Sequence, residues 1–304
     1  MLRDSPGWSQ GGHDELAVES ALTSINSTDR YRRSVSELQE DLASAELPSF
    51  DRPPVTEVVV GLQFTPLAIR AIDLAPLRQT WLDEFPNLTE QPPLDPTLED
   101  TPWLGPRINF GLPPMMRHWW ISGDQHRLLQ VQQDRFLFNW RRIGGLEDPY
   151  PRYPAIRAAF VEHFAQFQEF AVQHSPMGLS LTQCEVTYIN DLALDGPLPS
   201  LSSDVLRCWA DVPGHHLGNP AEFQFAQVYP IPRSAGAAKL YVSVNPFNRP
   251  DGTPSTSMTL TVRGRPTSGD PATALGFLND AREHIVRSFT ELTAEPMHRR
   301  WGKQ

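Results

Sequence analysis

The sequence contains few cysteines and no long apolar run. Of its 304 residues only Cys184 and Cys208 are cysteines, too few for a disulfide framework or a four-cysteine zinc site. We interpret both as buried thiols in a reducing compartment. No segment approaches the roughly 20 consecutive apolar residues of a membrane-spanning helix, and the N-terminus lacks the basic start and apolar core of a signal peptide. These absences predict a cytoplasmic protein that does not associate with membranes.

The sequence also has fewer basic than acidic residues. The chain has 26 Lys and Arg residues against 36 Asp and Glu residues, which gives a formal net charge of -10. Phosphate binding requires clustered cationic side chains. The charge balance therefore argues against nucleic acid, or an anionic membrane surface, as a general partner.

The common cofactor and metal motifs are missing as well. The sequence has no glycine-rich dinucleotide or nucleotide-phosphate loop and no H-E-x-x-H motif. His215 and His216 are adjacent, but no third ligand follows at motif spacing, and a metal site requires three or four ligands. Cys208 has no histidine at a recognised catalytic spacing, which disfavours a thiol nucleophile. The sequence thus predicts no cofactor and no metal, and it identifies no catalytic residue.

The first 50 residues differ in composition from the rest of the chain. Residues 1–29 are rich in Ser, Gly, Asp and Glu, which predicts a mobile N-terminal tail. Within residues 31–47, Val35, Leu38 and Leu42 recur at helical spacing and allow a short helix. This tail is either a solvated segment or a docking helix for a partner. Residues 51–304 are predicted to form a single globular domain.

The predicted elements of residues 51–304 occur in the same order twice. Alternating runs rich in β-branched residues predict strands, and apolar residues three or four apart predict helices. The first half has a strand at 57–64, a helix at 74–85, a loop at 86–114, strands at 116–122, 126–132 and 135–141, and a helix at 153–174. The second half has a strand at 181–190, a short helix at 204–210, strands at 223–229, 239–245 and 257–263, and a helix at 271–292. This doubled β-α-β-β-β-α unit predicts an α+β fold with two pseudo-repeats, at about 53–176 and 177–302, that form an antiparallel sheet backed by helices.

Each predicted strand has an apolar face and a polar face, because successive side chains of a strand alternate between its two sides. Gln, Asn, Thr and Arg dominate the polar face, whereas Lys and Glu are the usual residues of a solvated surface. These side chains form directional hydrogen bonds that suit a bound ligand, and a plain solvated face is the equal alternative. The candidate ligand-binding residues are Glu57, Gln63, Arg135, Asn139, Arg141, Glu185, Asn245 and Arg263.

Two carboxylates of this set occupy related positions. Glu57 and Glu185 each lie near the start of the first strand of their half. Paired carboxylates can perform acid–base chemistry if their surroundings separate their pKa values. Arginines on neighbouring strands offer cross-strand ion pairs instead, and we favour this structural interpretation.

The C-terminal segment contains a further apolar pattern. Met297 and Trp301 are four residues apart, so they are predicted to share a helical face that packs against the domain. Thr293 is predicted to cap this last helical turn. Residues 298–300, His-Arg-Arg, would then point outward as a small basic cluster.

Three parts of the sequence resemble a known protein family. They are residues 53–67 (PPVTEVVVGLQFTPL), residues 188–190 (YIN), and residues 283–293 (EHIVRSFTELT) with 297–302 (MHRRWG). These stretches are similar to the opening, the central strand and the ending of a sporadically distributed, uncharacterised family of bacterial proteins. The family has no established activity, cofactor or catalytic residue. Its patchy distribution resembles that of mobile accessory genes, including toxin–antitoxin and phage-defence components.

Together these features predict a non-enzymatic binding or regulatory protein that holds a protein partner or a small ligand on its polar sheet face. The resemblance implies an accessory role in a toxin–antitoxin or phage-defence system, and a homo-oligomer is compatible with it. One alternative is an enzyme of such a system, in which Glu57 and Glu185 converge with Arg141 and Arg263 in a cleft. A third is a nucleic-acid reader, which requires the strand arginines and Arg299–Arg300 to form one patch.

Overall fold

An antiparallel sheet of nine strands organises the part of the chain that the structure describes. The computed structural model describes residues 46–95, 115–175, 178–210, 216, 222–232 and 238–304. The chain divides into two units, 1–47 and 48–304, and the sheet belongs to the second. Residues 1–45, with most of the helix predicted at 31–47, lie outside the described residues.

The sheet places the first strand of each half at its centre. Its strands are β1 (Val55–Phe64), β2 (Asn87–Gln91), β3 (Arg117–Ile121), β4 (Arg127–Gln132), β5 (Arg135–Arg141), β6 (Leu181–Asp191), β7 (Phe225–Ile231), β8 (Ala238–Asn248) and β9 (Pro254–Gly264). They follow the order β2-β3-β4-β5-β1-β6-β9-β8-β7, and each of these neighbouring pairs is antiparallel. The predicted α+β class with an antiparallel sheet is therefore confirmed.

Helices pack against one face of this sheet. They are α1 (Ala75–Trp81), α2 (Arg152–His174), α3 (Pro271–Leu292) and α4 (Glu295–Trp301), with two short 3-10 helices at Ala71–Leu74 and Ser202–Asp204. Helix α2 contacts β5 and β1, and α3 contacts β6 and β9. None of the described helices has the length and apolarity that crossing a bilayer requires.

The core lies between the helices and the apolar face of the sheet. On β1 the side chains of Val58, Val60 and Leu62 are buried, as the alternating pattern predicts. Helix α2 covers this region with a row of phenylalanines one turn apart, and its Phe167 stacks on Phe136 of β5 with ring centroids 5.2 Å apart. The alternation of apolar residues is thus sufficient to identify the buried face.

Two elements differ from the predictions. Strand β2 lies within residues 86–114, which were predicted to be loop. Its sequence is Asn-Leu-Thr-Glu-Gln, and because it is an exposed edge strand it has no buried face to produce an apolar alternation. The helix predicted at 204–210 is also wrong, since the 3-10 helix Ser202–Asp204 precedes it and Leu206 forms an isolated bridge with Thr293. Cys184 is buried as predicted, but Cys208 is exposed.

The C-terminal helix packs against the domain as predicted. Met297 and Trp301 are completely buried. The Trp301 ring lies 5.2 Å from that of Phe289 and 6.2 Å from that of Phe50, measured between centroids. The last helix therefore packs against Phe50, at the beginning of the described domain, as well as against α3.

The polar residues of this C-terminal segment behave differently from the prediction. Ala294 occupies the N-cap position of α4, while the Thr293 hydroxyl donates to the Phe289 carbonyl and lies 2.8 Å from His298 Nε2. His298 is buried, and Arg300 forms an ion pair of 2.6 Å with Asp195. The prediction of an outward basic cluster at residues 298–300 is therefore wrong, because two of its three side chains have partners within the fold.

Candidate functional site

The strand register brings all eight predicted ligand-binding residues onto one face of the sheet. Glu57 lies opposite Arg141, and Gln63 lies opposite Arg135, across the β1–β5 ladder. Glu185 lies opposite Arg263 across the β6–β9 ladder. Asn139 shares this face, and so does Asn245 at the far end of β8. The face has two parts, and they differ in how deeply their side chains are buried.

The first part, which we call the closed half, is the polar face on β3, β4, β5 and β1. Most of its polar side chains are buried, and Arg135 and Asn139 are each only 3% exposed, while Glu57 and Arg141 are half-buried. Buried polar groups are costly unless they are hydrogen-bonded, so their partners determine what these residues can do.

A chain of side-chain hydrogen bonds crosses the four strands of the closed half. Trp119 Nε1 donates to Gln130 Oε1 at 3.0 Å, and Gln130 Nε2 donates to Asn139 Oδ1 at 2.8 Å. Asn139 Nδ2 then donates to Glu57 Oε1 at 2.6 Å. Because an indole N–H can only donate, it determines the orientation of both amides and requires an acceptor at the other end. Glu57 is that acceptor.

The pKa of the Glu57 carboxyl group is shifted in opposite directions by its surroundings. Burial raises the pKa of its carboxyl group, while the hydrogen bond from Asn139 and the charge of Arg141 lower it. Burial is the largest of these causes, so the pKa lies above its ordinary value. A carboxyl group with a raised pKa suits proton transfer only if a substrate can reach it, and here its oxygen is engaged by Asn139.

Arg135 anchors a second buried cluster in the closed half. Its guanidinium group bonds to the Asp134 carboxylate at 3.3 Å, to Gln63 Oε1 at 3.3 Å and to the Asp95 carbonyl at 2.8 Å. The amide of Gln132 also bonds to the main chain of Leu94 through both its oxygen and its nitrogen. These side chains therefore hold residues 94–95 against the sheet.

The second part, which we call the open half, lies on β6, β9 and β8. It comprises Glu185, Thr187, Thr261, Arg263, Tyr241, Ser243, Asn245 and Phe247. Most of these side chains are half-buried or exposed. Arg263 Nε donates to Glu185 Oε2 at 2.9 Å, and its guanidinium group lies 5.5 Å from the centroid of the Tyr241 ring.

Gly61 on β1 separates the two halves. A Cβ atom at this position would overlap Leu137 Cδ2 and would lie 3.2 Å from Glu185 Cγ. The absence of a side chain lets Leu137 and Glu185 approach each other over β1. This close packing isolates the network of the closed half from the Glu185–Arg263 pair.

The structure does not bring the two candidate carboxylates together. Glu57 is paired with Ile189 across the β1–β6 ladder, whereas Glu185 is paired with Gly61. Four residues along a strand offset their backbone positions by about 13 Å. The two carboxylates also have different partners, Asn139 and Arg263.

The arginines named for nucleic-acid binding are similarly dispersed. Arg135 is buried and paired with Asp134, Arg263 is paired with Glu185, and Arg300 is paired with Asp195. Each thus has an acidic neighbour, which lowers its attraction for phosphate. His215 lies outside the described residues, and among those described no group of three His, Cys, Asp or Glu side chains could hold a metal ion.

Sequence reasoning missed Trp119, Gln130 and Gln132 as members of the polar face. The two glutamines are two residues apart in β4, so the strand period does place them on one side. Trp119 gave no such signal, because its role is visible only through the β3–β4 register that sets it opposite Gln130.

No protein-family model, curated protein or solved structure matches this chain.

Proposed function

We propose that the protein is a non-enzymatic binding protein that holds a protein partner on the open half of its sheet. The proposal is based on one observation, which is a row of side chains along β8 on the solvent-facing side of the sheet. Tyr241, Ser243, Asn245 and Phe247 follow at every second position and therefore share a face. Phe247 is 36% exposed, and the neighbouring edge strand adds Val228, which is 54% exposed.

The chemistry of this row suits a protein rather than a small molecule. Protein interfaces combine exposed aromatic anchors with directional polar groups, and Tyr and Phe are enriched at their centres. The Thr187 and Thr261 hydroxyls, 2.8 Å apart, extend the polar part of the surface across β6 and β9. The surface runs over several strands and is broad, whereas small molecules are held in concave sites.

Catalysis by the predicted carboxylate cleft has weaker support. The backbone positions of Glu57 and Glu185 are offset by about 13 Å along the strands, and the two carboxylates bond to different partners, Asn139 and Arg263. The pair of Glu185 with Arg263 supports the structural interpretation of these residues.

The proposal includes the biological setting that the sequence resemblance implies. The protein would belong to the sporadically distributed bacterial family and would act in the cytoplasm as an accessory component of a toxin–antitoxin or phage-defence system. Its two pseudo-repeats would derive from duplication of one β-α-β-β-β-α unit. In support of this, β5 and β9, the last strands of the two halves, flank the central strands β1 and β6, and earlier strands follow outward on both sides.

The test is capture of the partner from host cells with the tagged full chain and with a variant of the open half. Asn245→Ala combined with Phe247→Ala removes one polar group and one aromatic anchor from the exposed end of the row. Because aromatic anchors contribute on the order of 2 kcal/mol, recovery of a stoichiometric partner should fall by about tenfold or more.

A matched control locates the effect on this face. Val172→Ala with Gln173→Ala changes two exposed residues of α2, on the helical side, and should leave recovery unchanged. Two outcomes contradict the proposal: wild-type chain that captures no stoichiometric protein, or a captured protein that both double variants retain equally.

A further inference from the structure

A cavity of about 80 Å3 lies on the helical side of the sheet, away from both halves of the polar face. Its walls come from the start of α2, the middle of α3, the central strands β1 and β6, and residues 48–50. The polar side chains that line it are Tyr150, Arg152, Tyr153, Tyr188, Asn190 and Arg282. We call it the Tyr–Arg cavity.

The hydroxyl groups of the cavity have an unused donor. Tyr153 donates to the Leu278 carbonyl at 2.9 Å, so its proton is engaged. Tyr150 and Tyr188 lie 3.2 Å apart, oxygen to oxygen, and only one of their two protons can lie between them. Tyr150 donates to Tyr188 in this pair, so the buried Tyr188 hydroxyl still has its own O–H to donate. Buried O–H groups in this position require an acceptor from elsewhere.

The charge of the cavity is positive although the protein is acidic. Arg152 and Arg282 line it, and none of the lining residues is Asp or Glu. Arg282 Nε is buried without a hydrogen-bond partner, while another part of its guanidinium group bonds to Tyr188 and Arg152 Nη1 donates to the Phe50 carbonyl at 3.0 Å, so the described partners of both arginines are uncharged. Their guanidinium groups lie over the rings of Tyr150 and Tyr153, 5.6 and 5.8 Å from the centroids. A cation that is partly desolvated and has no counter-ion favours the binding of an anion.

The remaining walls and the volume limit the size of this anion. Phe50, Val55, Ile285 and Phe289 give the cavity an apolar side. A cavity of about 80 Å3 is smaller than the roughly 150 Å3 that accommodates benzene, so an aromatic ring does not fit. A carboxylate on a chain of two to four carbon atoms satisfies the guanidinium groups and the free O–H, and it fills the apolar part.

We propose that the Tyr–Arg cavity binds a small aliphatic carboxylate, which accepts hydrogen bonds from Arg282 and from the Tyr150–Tyr188 pair. The site goes beyond the proposed function, because it lies on the opposite side of the sheet from the open half and requires no partner protein.

The test is isothermal titration of the full chain with propionate at constant ionic strength, with propionamide as the uncharged ligand of the same shape. Saturable binding of propionate, with a rise in Tm, is expected, and propionamide and benzoate should bind at least about tenfold more weakly. Failure of propionate to bind more tightly than propionamide overturns the proposal. Equal binding of benzoate overturns the assigned size.

Three variants locate the binding. Arg282→Gln should weaken propionate binding by about tenfold, and Tyr188→Phe, which keeps the ring and removes only the hydroxyl, by about fivefold. Arg287→Gln is the matched control, because it lies on the same helix but pairs with Glu283 outside the cavity. If Arg282→Gln fails to fold, as judged by circular dichroism, the propionate affinity of Tyr188→Phe alone determines whether the cavity is the binding site. Wild-type affinity in the folded variants of the cavity overturns the proposal.

Discussion

At the scale of single residues, the direction of the buried hydrogen-bond chain follows from one atom. Trp119 Nε1–H can only donate, so Gln130 and Asn139 must each accept on one side and donate on the other. Glu57 completes the chain as an acceptor. The sequence around Glu57 is equally compatible with a glutamate that is exposed to solvent. Only the neighbouring strands make Glu57 the final acceptor of the hydrogen-bond chain.

The first prediction concerns the pH dependence caused by Glu57. Because its pKa is raised in the folded protein, the folded state binds more protons than the unfolded chain above pH 4.5, the ordinary pKa. Stability therefore falls as the pH rises through the window above 4.5. Glu57→Gln keeps an oxygen that accepts from Asn139 and removes the titration. Its free energy of unfolding should therefore rise relative to wild type between pH 4.5 and about pH 7, as measured by urea unfolding.

The control for this prediction is Glu169→Gln, which removes the same charge from an exposed position on α2. The pH dependence of the Glu57→Gln difference is compared with that of this variant, which accounts for the loss of one carboxylate charge from the surface. A Glu57→Gln difference that is constant or that declines with rising pH would show that burial does not dominate the pKa of this carboxyl group.

The second prediction concerns a strained backbone position. Gln125, in the loop between β3 and β4, has a φ of 65°, in the left-handed region that favours glycine. Gln125→Gly should stabilise the protein by about 0.5–1 kcal/mol, because it removes the clash of Cβ with the backbone. Gln125→Ala removes the same side-chain atoms beyond Cβ and keeps the clash, so it should give no gain. Equal urea midpoints for the two variants would contradict the backbone explanation.

At the scale of elements, sequence patterns succeeded where the apolar residues of an element lie on one face only. The phenylalanine row of α2 and the alternation in β1, β5 and β6 reflect a core on one side only. Strand β2 was missed because it is exposed at the sheet edge and has no such contrast. Its pairing with β3 depends on main-chain hydrogen bonds, which leave no signature in the side chains.

The third prediction concerns the start of α3. The Asp270 carboxylate accepts a hydrogen bond from the Thr273 N–H and caps the helix. Asp270→Ala should lower the free energy of unfolding by about 1 kcal/mol, whereas Asp270→Asn, which keeps a capping oxygen, should lower it by only a few tenths. Chemical denaturation of both variants tests this. Equal losses would assign the effect to the charge rather than to the cap.

At the scale of the whole domain, its first and last described residues hold each other in place. The N–H groups of Asp51 and Arg52 donate to the carbonyls of Gly302 and Trp301, each at 3.0 Å. The ring of Phe50, the residue before Asp51, lies against the Trp301 ring. Residues about 250 positions apart in the chain therefore share one small core.

The fourth prediction follows from this contact. Trp301→Ala should lower the free energy of unfolding by about 3–5 kcal/mol, because it leaves a cavity beside Phe50 and Phe289. Val172→Ala, at an exposed position of α2, should change it by less than about 0.5 kcal/mol. A small effect of Trp301→Ala would mean that the chain end can leave the domain without unfolding it.

The amino-acid sequence by itself determined the class of fold, the apolar face of the sheet, the two long helices and the burial of Met297 and Trp301. These features depend on periodicities that the backbone geometry of strands and helices imposes locally. The tertiary structure alone decided which polar residues are buried. Arg135 and Asn245 both occupy polar-face positions of alternating strands in the sequence, but Arg135 is buried and Asn245 is exposed. It alone also assembled the Tyr–Arg cavity, because Tyr150, Tyr188 and Arg282 lie on three separate segments. Their proximity results from the packing of α2 and α3 across the central strands, and no local pattern encodes such long-range contacts.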